Sequence, residues 1–110
     1  MVIRIKTLYL LPLLMMTANV NALSLAQERQ DQFMQVCMTD ATVAAGNRNQ
    51  LCRCLFDAFA YGSDTRFGVT DVLTIPERNW EAPARRMAND ALGNEVRRLR
   101  QRCLEPIDGR

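Results

Sequence analysis

Four cysteines in a chain of 110 residues are the feature that most restricts its fold: Cys37, Cys52, Cys54 and Cys103. In a short exported chain, an even number of cysteines predicts a disulfide framework. Four cysteines allow three pairings. A bond between Cys52 and Cys54 is disfavoured, because residues two apart point to nearly opposite sides of a helix. In both remaining pairings, Cys52 and Cys54 bond to Cys37 and Cys103.

The choice between these two pairings depends on where the chain turns. A Gly-Asn pair beginning at Gly46 predicts a turn between two antiparallel helices. Cys54 matches the distance between Cys37 and this turn slightly better than Cys52 does. Matching cysteines that lie at equal distances from the turn, which we call level matching, therefore favours Cys37–Cys54 with Cys52–Cys103. The alternative, Cys37–Cys52 with Cys54–Cys103, stays open because connectivity cannot be deduced from a sequence.

The first 22 residues have the pattern of a cleaved secretory signal. Arg4 and Lys6 give a positive start, an apolar run covers residues 8–16, and residues 20–22 (VNA) suit a cleavage site. The apolar run is shorter than the roughly 20 residues that a membrane-spanning helix needs. We therefore predict cleavage after residue 22, or alternatively after Ala26. The expected location is the periplasm, with extracellular secretion as the alternative.

Cleavage leaves one small domain, residues 23–110, near the size at which a core alone gives marginal stability. The chain has 14 basic and 12 acidic residues, and the predicted signal carries two of the basic ones, so the remainder is electrically balanced. The sequence contains no histidine, which excludes Ser-His and Cys-His nucleophile pairs. No catalytic, phosphate-binding or calcium-binding motif is present. We therefore expect a protein that is not an enzyme and that uses no cofactor and no metal.

Apolar residues recur at helical spacing in three segments of residues 23–110. The first segment ends at Gly46 with Asn47, and the second begins with Asn47 or Asn49 as its cap and ends near Tyr61. The third runs from about residue 84 to Cys103, with Pro106 closing it. The apolar stripes of the three helices contain, in chain order, Ala26, Phe33, Cys37, Ala41 and Ala44; Leu51, Cys52, Leu55, Phe56 and Phe59; and Met87, Ala88, Ala91, Leu92, Val96, Leu99 and Cys103.

Residues 63–82, between the second and third helices, are harder to interpret. Val69, Val72, Leu73 and Ile75 fit either a short helix capped by Thr70 or an extended piece, and a proline follows both. The whole pattern predicts a small all-α domain of three or four helices, cross-linked by two disulfides.

Charge is unevenly distributed along this domain. Residues 84–104 carry six arginines and two acids, whereas residues 23–83 have more acids than arginines. Either the basic last helix docks on, or lies beside, the acidic remainder, or it meets an anionic partner such as lipid headgroups or an acidic protein face. We favour the first alternative, without an anionic partner, because charged helix faces are usually just solvated. Nucleic acid is a poor candidate partner, given the secretion signal, the balanced charge and the few aromatic residues.

Candidate partner-binding residues lie in segment 61–80 and on the basic face of the last helix. Loops held by a rigid scaffold often carry recognition surfaces. The only tryptophan, Trp80, is expected in the core, which is the commoner position of a lone large aromatic, although an exposed partner anchor is the alternative. The candidate residues are Tyr61, Arg66, Phe67, Arg78, Trp80, Arg97, Arg98 and Arg100.

The order of these features resembles a group of small exported bacterial helical proteins. Cys37 on a first helix, the sequence LCRCLF at residues 51–56 on a second, and Cys103 near the end carry the resemblance. Members of this group mostly lack an assigned activity. The resemblance therefore implies an all-α fold and a bacterial envelope location, and it implies no functional residue.

The leading functional hypothesis is a non-enzymatic binding or accessory protein of the bacterial cell envelope. It would act on another envelope protein, as a subunit, chaperone or inhibitor, or serve a secretion or conjugation apparatus. One alternative is a small secreted membrane-active toxin whose last helix meets anionic lipid. Another is a thiol-disulfide exchange protein that uses Cys52 and Cys54. A zinc site is disfavoured because Cys37 and Cys103 each stand alone rather than in close pairs.

Overall fold

The computed structural model describes residues 25–108, so the predicted signal peptide, residues 1–22, lies outside the described residues. Helix α1 covers residues 25–37. The prediction of an all-α fold is confirmed, since the described residues contain no strand. Three helices are long and the others have one or two turns. The remaining elements are α2 (Ala45–Tyr61), α3 (Val69–Val72), a 3₁₀ helix (Glu77–Glu81), α4 (Pro83–Arg86) and α5 (Ala91–Ile107).

The hydrophobic core forms around three aromatic side chains from three elements. The Phe33 ring of α1 lies 5.7 Å from the Phe56 ring of α2 and 5.5 Å from the Trp80 ring of the 3₁₀ helix, measured between centroids. Trp80 is fully buried, so the prediction that it lies in the core is confirmed. Helix α5 adds Val96 and Leu99 to the same cluster. The large apolar members of the predicted stripes are thus mostly buried, whereas the alanines Ala26, Ala41, Ala44, Ala88 and Ala91 are exposed.

The connection between α1 and α2 differs from the prediction. Helix α1 ends at Cys37, not near Gly46, because Asp40 starts a turn of its own: its Oδ1 accepts hydrogen bonds from the backbone N–H and the hydroxyl of Thr42. Gly46 lies instead in the first turn of α2. The turn is therefore centred several residues earlier than the Gly-Asn pair suggested.

The predicted asparagine caps of α2 are also wrong. Its N-cap residue is Ala44, which makes no side-chain hydrogen bond to the helix. Asn47 and Asn49 both lie within the helix, and Asn49 Oδ1 accepts a hydrogen bond from Arg53 Nε at 3.1 Å. The start of the helix is instead joined to the preceding turn by Arg48, whose Nε donates to the Val43 carbonyl at 2.9 Å.

The middle segment adopts the helical alternative. Gly68 is the N-cap of α3, and its N–H donates to the Asp71 carboxylate at 2.7 Å, so the cap involves Asp71 and not Thr70. Thr70 lies inside the single turn of helix. Pro76 follows and leads into the 3₁₀ helix that carries Trp80 into the core.

The third predicted helix is broken into α4 and α5. Met87 has an extended backbone, and Asp90 restarts the chain as an N-cap whose carboxylate accepts from the Gly93 N–H at 2.8 Å. A Cβ at Gly93 would collide with the Ala88 carbonyl oxygen, so the close approach of the two segments requires glycine here. Pro106 does not close the helix, because α5 continues through it to Ile107.

Two disulfides join α2 to its neighbours, but not in the pairing that level matching favoured. Cys37 bonds to Cys52, and Cys54 bonds to Cys103. Cys37 lies one turn after Phe33, and Cys52 lies one turn before Phe56, so the bond extends the Phe33–Phe56 contact along the two antiparallel helices. The pairing is therefore set by the faces that meet and not by distance from the turn.

Candidate functional site

The candidate site is a surface groove between the beginning of α1, the end of α2 and the beginning of α3. Its volume is about 500 Å³. Phe56 and Phe59 are largely buried and form its base, whereas Tyr61 stands at its edge with 80 % of its surface exposed. Gly68 and Val69 form the wall contributed by α3. We call this feature the aromatic groove.

The end of α2 explains why these aromatic side chains lie together. Phe56 and Phe59 are three residues apart and share the buried face of the helix. Tyr61 lies outside this face, and its ring stands edge-on to Phe56 at a centroid distance of 6.4 Å. The Gly62 N–H donates to the Ala58 carbonyl at 3.1 Å. A Cβ on residue 62 would collide with the same carbonyl oxygen. Glycine thus ends the helix directly beside the exposed ring.

The opposite wall of the aromatic groove is polar. Gln27, Arg29 and Gln30 of α1 line it, and among the described lining residues Arg29 has the one charged side chain. Leu25 precedes Arg29 by one helical turn and is 63 % exposed. Leu25 and Tyr61 are the large apolar residues that the described chain leaves exposed. The site therefore combines aromatic surface with a single positive charge.

The structure separates the residues that the sequence grouped in segment 61–80. Tyr61 lines the aromatic groove, whereas Trp80 is buried and offers no surface to a partner. The Arg66 guanidinium lies 5.0 Å from the centre of the Phe67 ring, which itself packs against the core. Arg78 is exposed, and its carbonyl accepts a hydrogen bond from Arg86 of α4. Sequence reasoning missed Leu25 and Arg29, because α1 was read only for its buried stripe.

The arginines of α5 make contacts within the chain. Arg97 donates to the carbonyl oxygens of Ala84 and Ala88 at 3.0 and 3.3 Å, and also to that of Met87. These groups belong to α4 and the break that follows it, so Arg97 satisfies carbonyls that the short helix leaves without partners. Its position fits a structural role better than partner binding.

Arg100 is the most buried of these arginines. It is 7 % exposed, and its Nε and one terminal nitrogen donate to Asp40 Oδ2 at 3.1 and 2.8 Å. Asp40 is 1 % exposed and lies 60 residues earlier in the chain, in the α1–α2 turn. The same Arg100 nitrogen also donates to the Thr42 hydroxyl at 3.0 Å. Arg100 is thus unavailable to a partner. Its contacts with the α1–α2 turn are those expected if the basic last helix docks on the rest of the chain.

A second ion-paired cluster joins α5 to the loop after α2. Arg98 and Arg102 both pair with Asp64, and Arg98 also pairs with Glu95. The hydrogen bond from Arg102 lowers the pKa of Asp64, and the hydrogen bond from Arg98 lowers the pKa of Glu95. All of these side chains except Glu95 are substantially exposed. Solvent therefore screens the ion pairs, and each contributes little to stability.

These lowered pKa values predict a loss of stability in acid. A carboxyl whose pKa is lower in the folded state stabilises the fold above its unfolded pKa, and this contribution disappears as the pH falls through the folded pKa. We expect the free energy of unfolding to decrease as the pH falls below about 4, the ordinary range of these groups. Urea titrations of the native protein and of Asp64→Asn between pH 2 and pH 7 would measure it. A pH dependence that is identical in the two proteins would contradict the role of Asp64.

The cysteines of the Cys-x-Cys sequence do not form a dithiol pair. Cys52 is buried and bonds to α1, whereas Cys54 is exposed and bonds to α5. The four cysteines lie within the described residues, and none is free. The two bonds are typical of a protein exported from the reducing cytoplasm. No helix within residues 25–108 is long and apolar enough to cross a membrane.

The chain was also compared with known proteins. No protein-family model, curated protein or solved structure matches it.

Proposed function

We propose that the protein is a non-enzymatic binding or accessory protein of the bacterial cell envelope, located in the periplasm. The observation that carries this proposal is the exposed Tyr61 ring at the edge of the aromatic groove. Tyrosine is enriched among the residues that dominate binding energy in protein interfaces. Because Leu25 is exposed as well, the apolar surface extends beyond the groove itself, which favours a macromolecular partner over a small ligand.

The proposed occupant of the aromatic groove is a segment of another envelope protein. Its apolar side chains would lie on Phe56 and Phe59, and an acidic side chain would pair with Arg29 on the opposite wall. A segment with this chemistry complements both the aromatic base and the positive charge. The partner would be a component of a secretion or conjugation system, or an envelope protein that this chain inhibits.

A membrane-active role draws less support from the same contacts. That role needs a basic face on α5 that is free to meet lipid headgroups. Arg97 and Arg100 instead donate to groups of the chain itself, and Arg98 pairs with acidic side chains. Salt-sensitive binding to vesicles containing anionic lipid, at a strength that Tyr61→Ser leaves unchanged, would favour the membrane role over the groove.

Capture from envelope extracts tests the proposed function. We expect one specific protein to be retained by the native chain and to be reduced at least about tenfold by Tyr61→Ser or by Arg29→Glu, since loss of an anchor residue commonly costs that much affinity. Arg85→Glu is the matched control, because it makes the same charge change on exposed α4, outside the groove. Equal capture by all four proteins, with unchanged circular dichroism, would contradict the assignment of the groove.

A further inference from the structure

The two disulfides differ in their access to solvent. Cys37 and Cys52 are both buried within the core that α1 shares with α2. The bond between Cys54 and Cys103 lies on the other side of α2, where Cys54 is an exposed residue and Cys103 is buried. Because thiol-disulfide exchange requires contact between a thiolate and a sulfur, access is one determinant of which bond reacts.

A surface pocket opens beside the exposed disulfide. It has a volume of about 290 Å³, and both Cys54 and Cys103 line it. Leu99 and Ala58 contribute apolar surface, and the ion pair between Arg102 and Asp64 lies in its wall. A small thiol can therefore approach this bond from solvent, whereas Cys37 and Cys52 are 3 % and 0 % exposed.

We infer that the Cys54–Cys103 bond is a reactive site for external thiols, which open it selectively while the Cys37–Cys52 bond stays closed. The attacking thiolate forms a bond to the sulfur of Cys54, which belongs to the more exposed residue of the pair, and the Cys54–Cys103 bond breaks with its electron pair leaving on Cys103. A second thiol then attacks the mixed disulfide at the sulfur of the reagent and releases the Cys54 thiolate. Two thiols are oxidised to one disulfide, and the protein disulfide is reduced to two thiols.

Contacts elsewhere hold α5 in place when this bond opens. Val96 and Leu99 remain in the core, and Arg100 remains paired with Asp40 in the α1–α2 turn. The buried Cys37–Cys52 bond still joins α1 to α2. Reduction of the exposed bond is therefore a local event that leaves the core formed. This inference does not depend on the proposed partner or on the aromatic groove.

Graded reduction of the oxidised exported protein tests this inference. Samples would be treated with dithiothreitol without denaturant, quenched with N-ethylmaleimide at intervals, digested and mapped by mass spectrometry. We expect label on Cys54 and Cys103 to appear at least about tenfold faster than on Cys37 and Cys52, because access limits the reaction. Far-UV circular dichroism and Trp80 emission should stay native during this first phase.

Two controls separate selective opening from unfolding. A Cys54→Ala, Cys103→Ala double variant should take up no label over the same interval, since its remaining bond is buried. Treatment of the native protein with reduced glutathione should give a mixed disulfide on Cys54 and not on Cys103. Equal labelling rates at all four cysteines, earlier labelling of Cys37 and Cys52, or label that appears only when the far-UV signal is lost would overturn the inference.

Discussion

Asp40→Ala is expected to lower the free energy of unfolding by about 3–5 kcal/mol, as removal of one partner from a buried ion pair does. The substitution would leave the Arg100 guanidinium buried without its carboxylate. It would also remove the acceptor that holds the Thr42 backbone and hydroxyl. Urea unfolding followed by circular dichroism measures the change, provided that the slope with denaturant is compared between proteins.

Two further variants make this prediction specific. Glu81→Ala is the matched control, because Glu81 pairs with Arg86 on the surface, where such a pair contributes at most about 1 kcal/mol. An Asp40→Leu, Arg100→Met double variant should recover part of the lost stability, since an apolar pair leaves no buried charge. If Asp40→Ala destabilised the protein no more than Glu81→Ala, the buried pair would not be a major anchor of α5.

Trp80→Ala should destabilise the protein by about 3–5 kcal/mol, the range for truncation of a large buried aromatic residue. Its ring is fully buried and meets Phe33 edge-on, so removal opens a cavity where α1 contacts the 3₁₀ helix. Trp80→Phe should cost less. Among the described residues, Trp80 Nε1 is buried without a hydrogen-bond partner, and phenylalanine removes that unsatisfied donor while filling part of the space.

The measurement for Trp80 must not rely on tryptophan fluorescence, since this is the only tryptophan in the chain. Thermal and urea unfolding by far-UV circular dichroism are suitable. Tyr61→Ala serves as the comparison, because Tyr61 is mostly exposed and its loss should cost under about 1 kcal/mol. Similar losses for Trp80→Ala and Tyr61→Ala would refute the placement of Trp80 at the centre of the core.

Local patterns predicted the three long helices but not where each one begins or ends. The stripes through Phe33, Phe56 and Val96 depend on spacing within a helix, and the structure buries all three. The end of α1 depends instead on Asp40, which is fixed by an arginine 60 residues later. No window of the sequence contains both partners. The Gly-Asn pair beginning at Gly46 was therefore a plausible stop signal that tertiary contacts overrode.

The cysteine pairing was likewise only partly predictable from the sequence. Both Cys37 and Cys52 were assigned from sequence to apolar stripes, which is the property that brings them together in the core. The preference for Cys54 came from counting residues to a turn that the structure places elsewhere. Cys54 lies outside the buried face of α2, so it could not meet the buried face of α1. The helix face on which each cysteine lies therefore predicts the pairing better than its distance from the turn.

The candidate site was only partly predictable. Tyr61 was identified because it begins the segment between two helices, where loops held by a rigid scaffold often carry recognition surfaces. Arg29 was not, because the wall that it lines exists only once α1 packs across the end of α2. Exposed Leu25, one helical turn earlier, was not identified either. Trp80 and Tyr61 were grouped because they lie in the same segment of the sequence. In the structure Trp80 is in the core and Tyr61 is on the surface.

The observed connectivity bears on how the bonds form during export. Each disulfide joins cysteines that are consecutive in the chain, first with second and third with fourth. A chain that crosses a membrane from its N-terminus exposes Cys37 and Cys52 to an oxidase before Cys103 arrives. If oxidation kept pace with translocation and Cys37 closed on the first cysteine to follow it, the native bonds would arise in order. Such a chain would need little help from a disulfide isomerase.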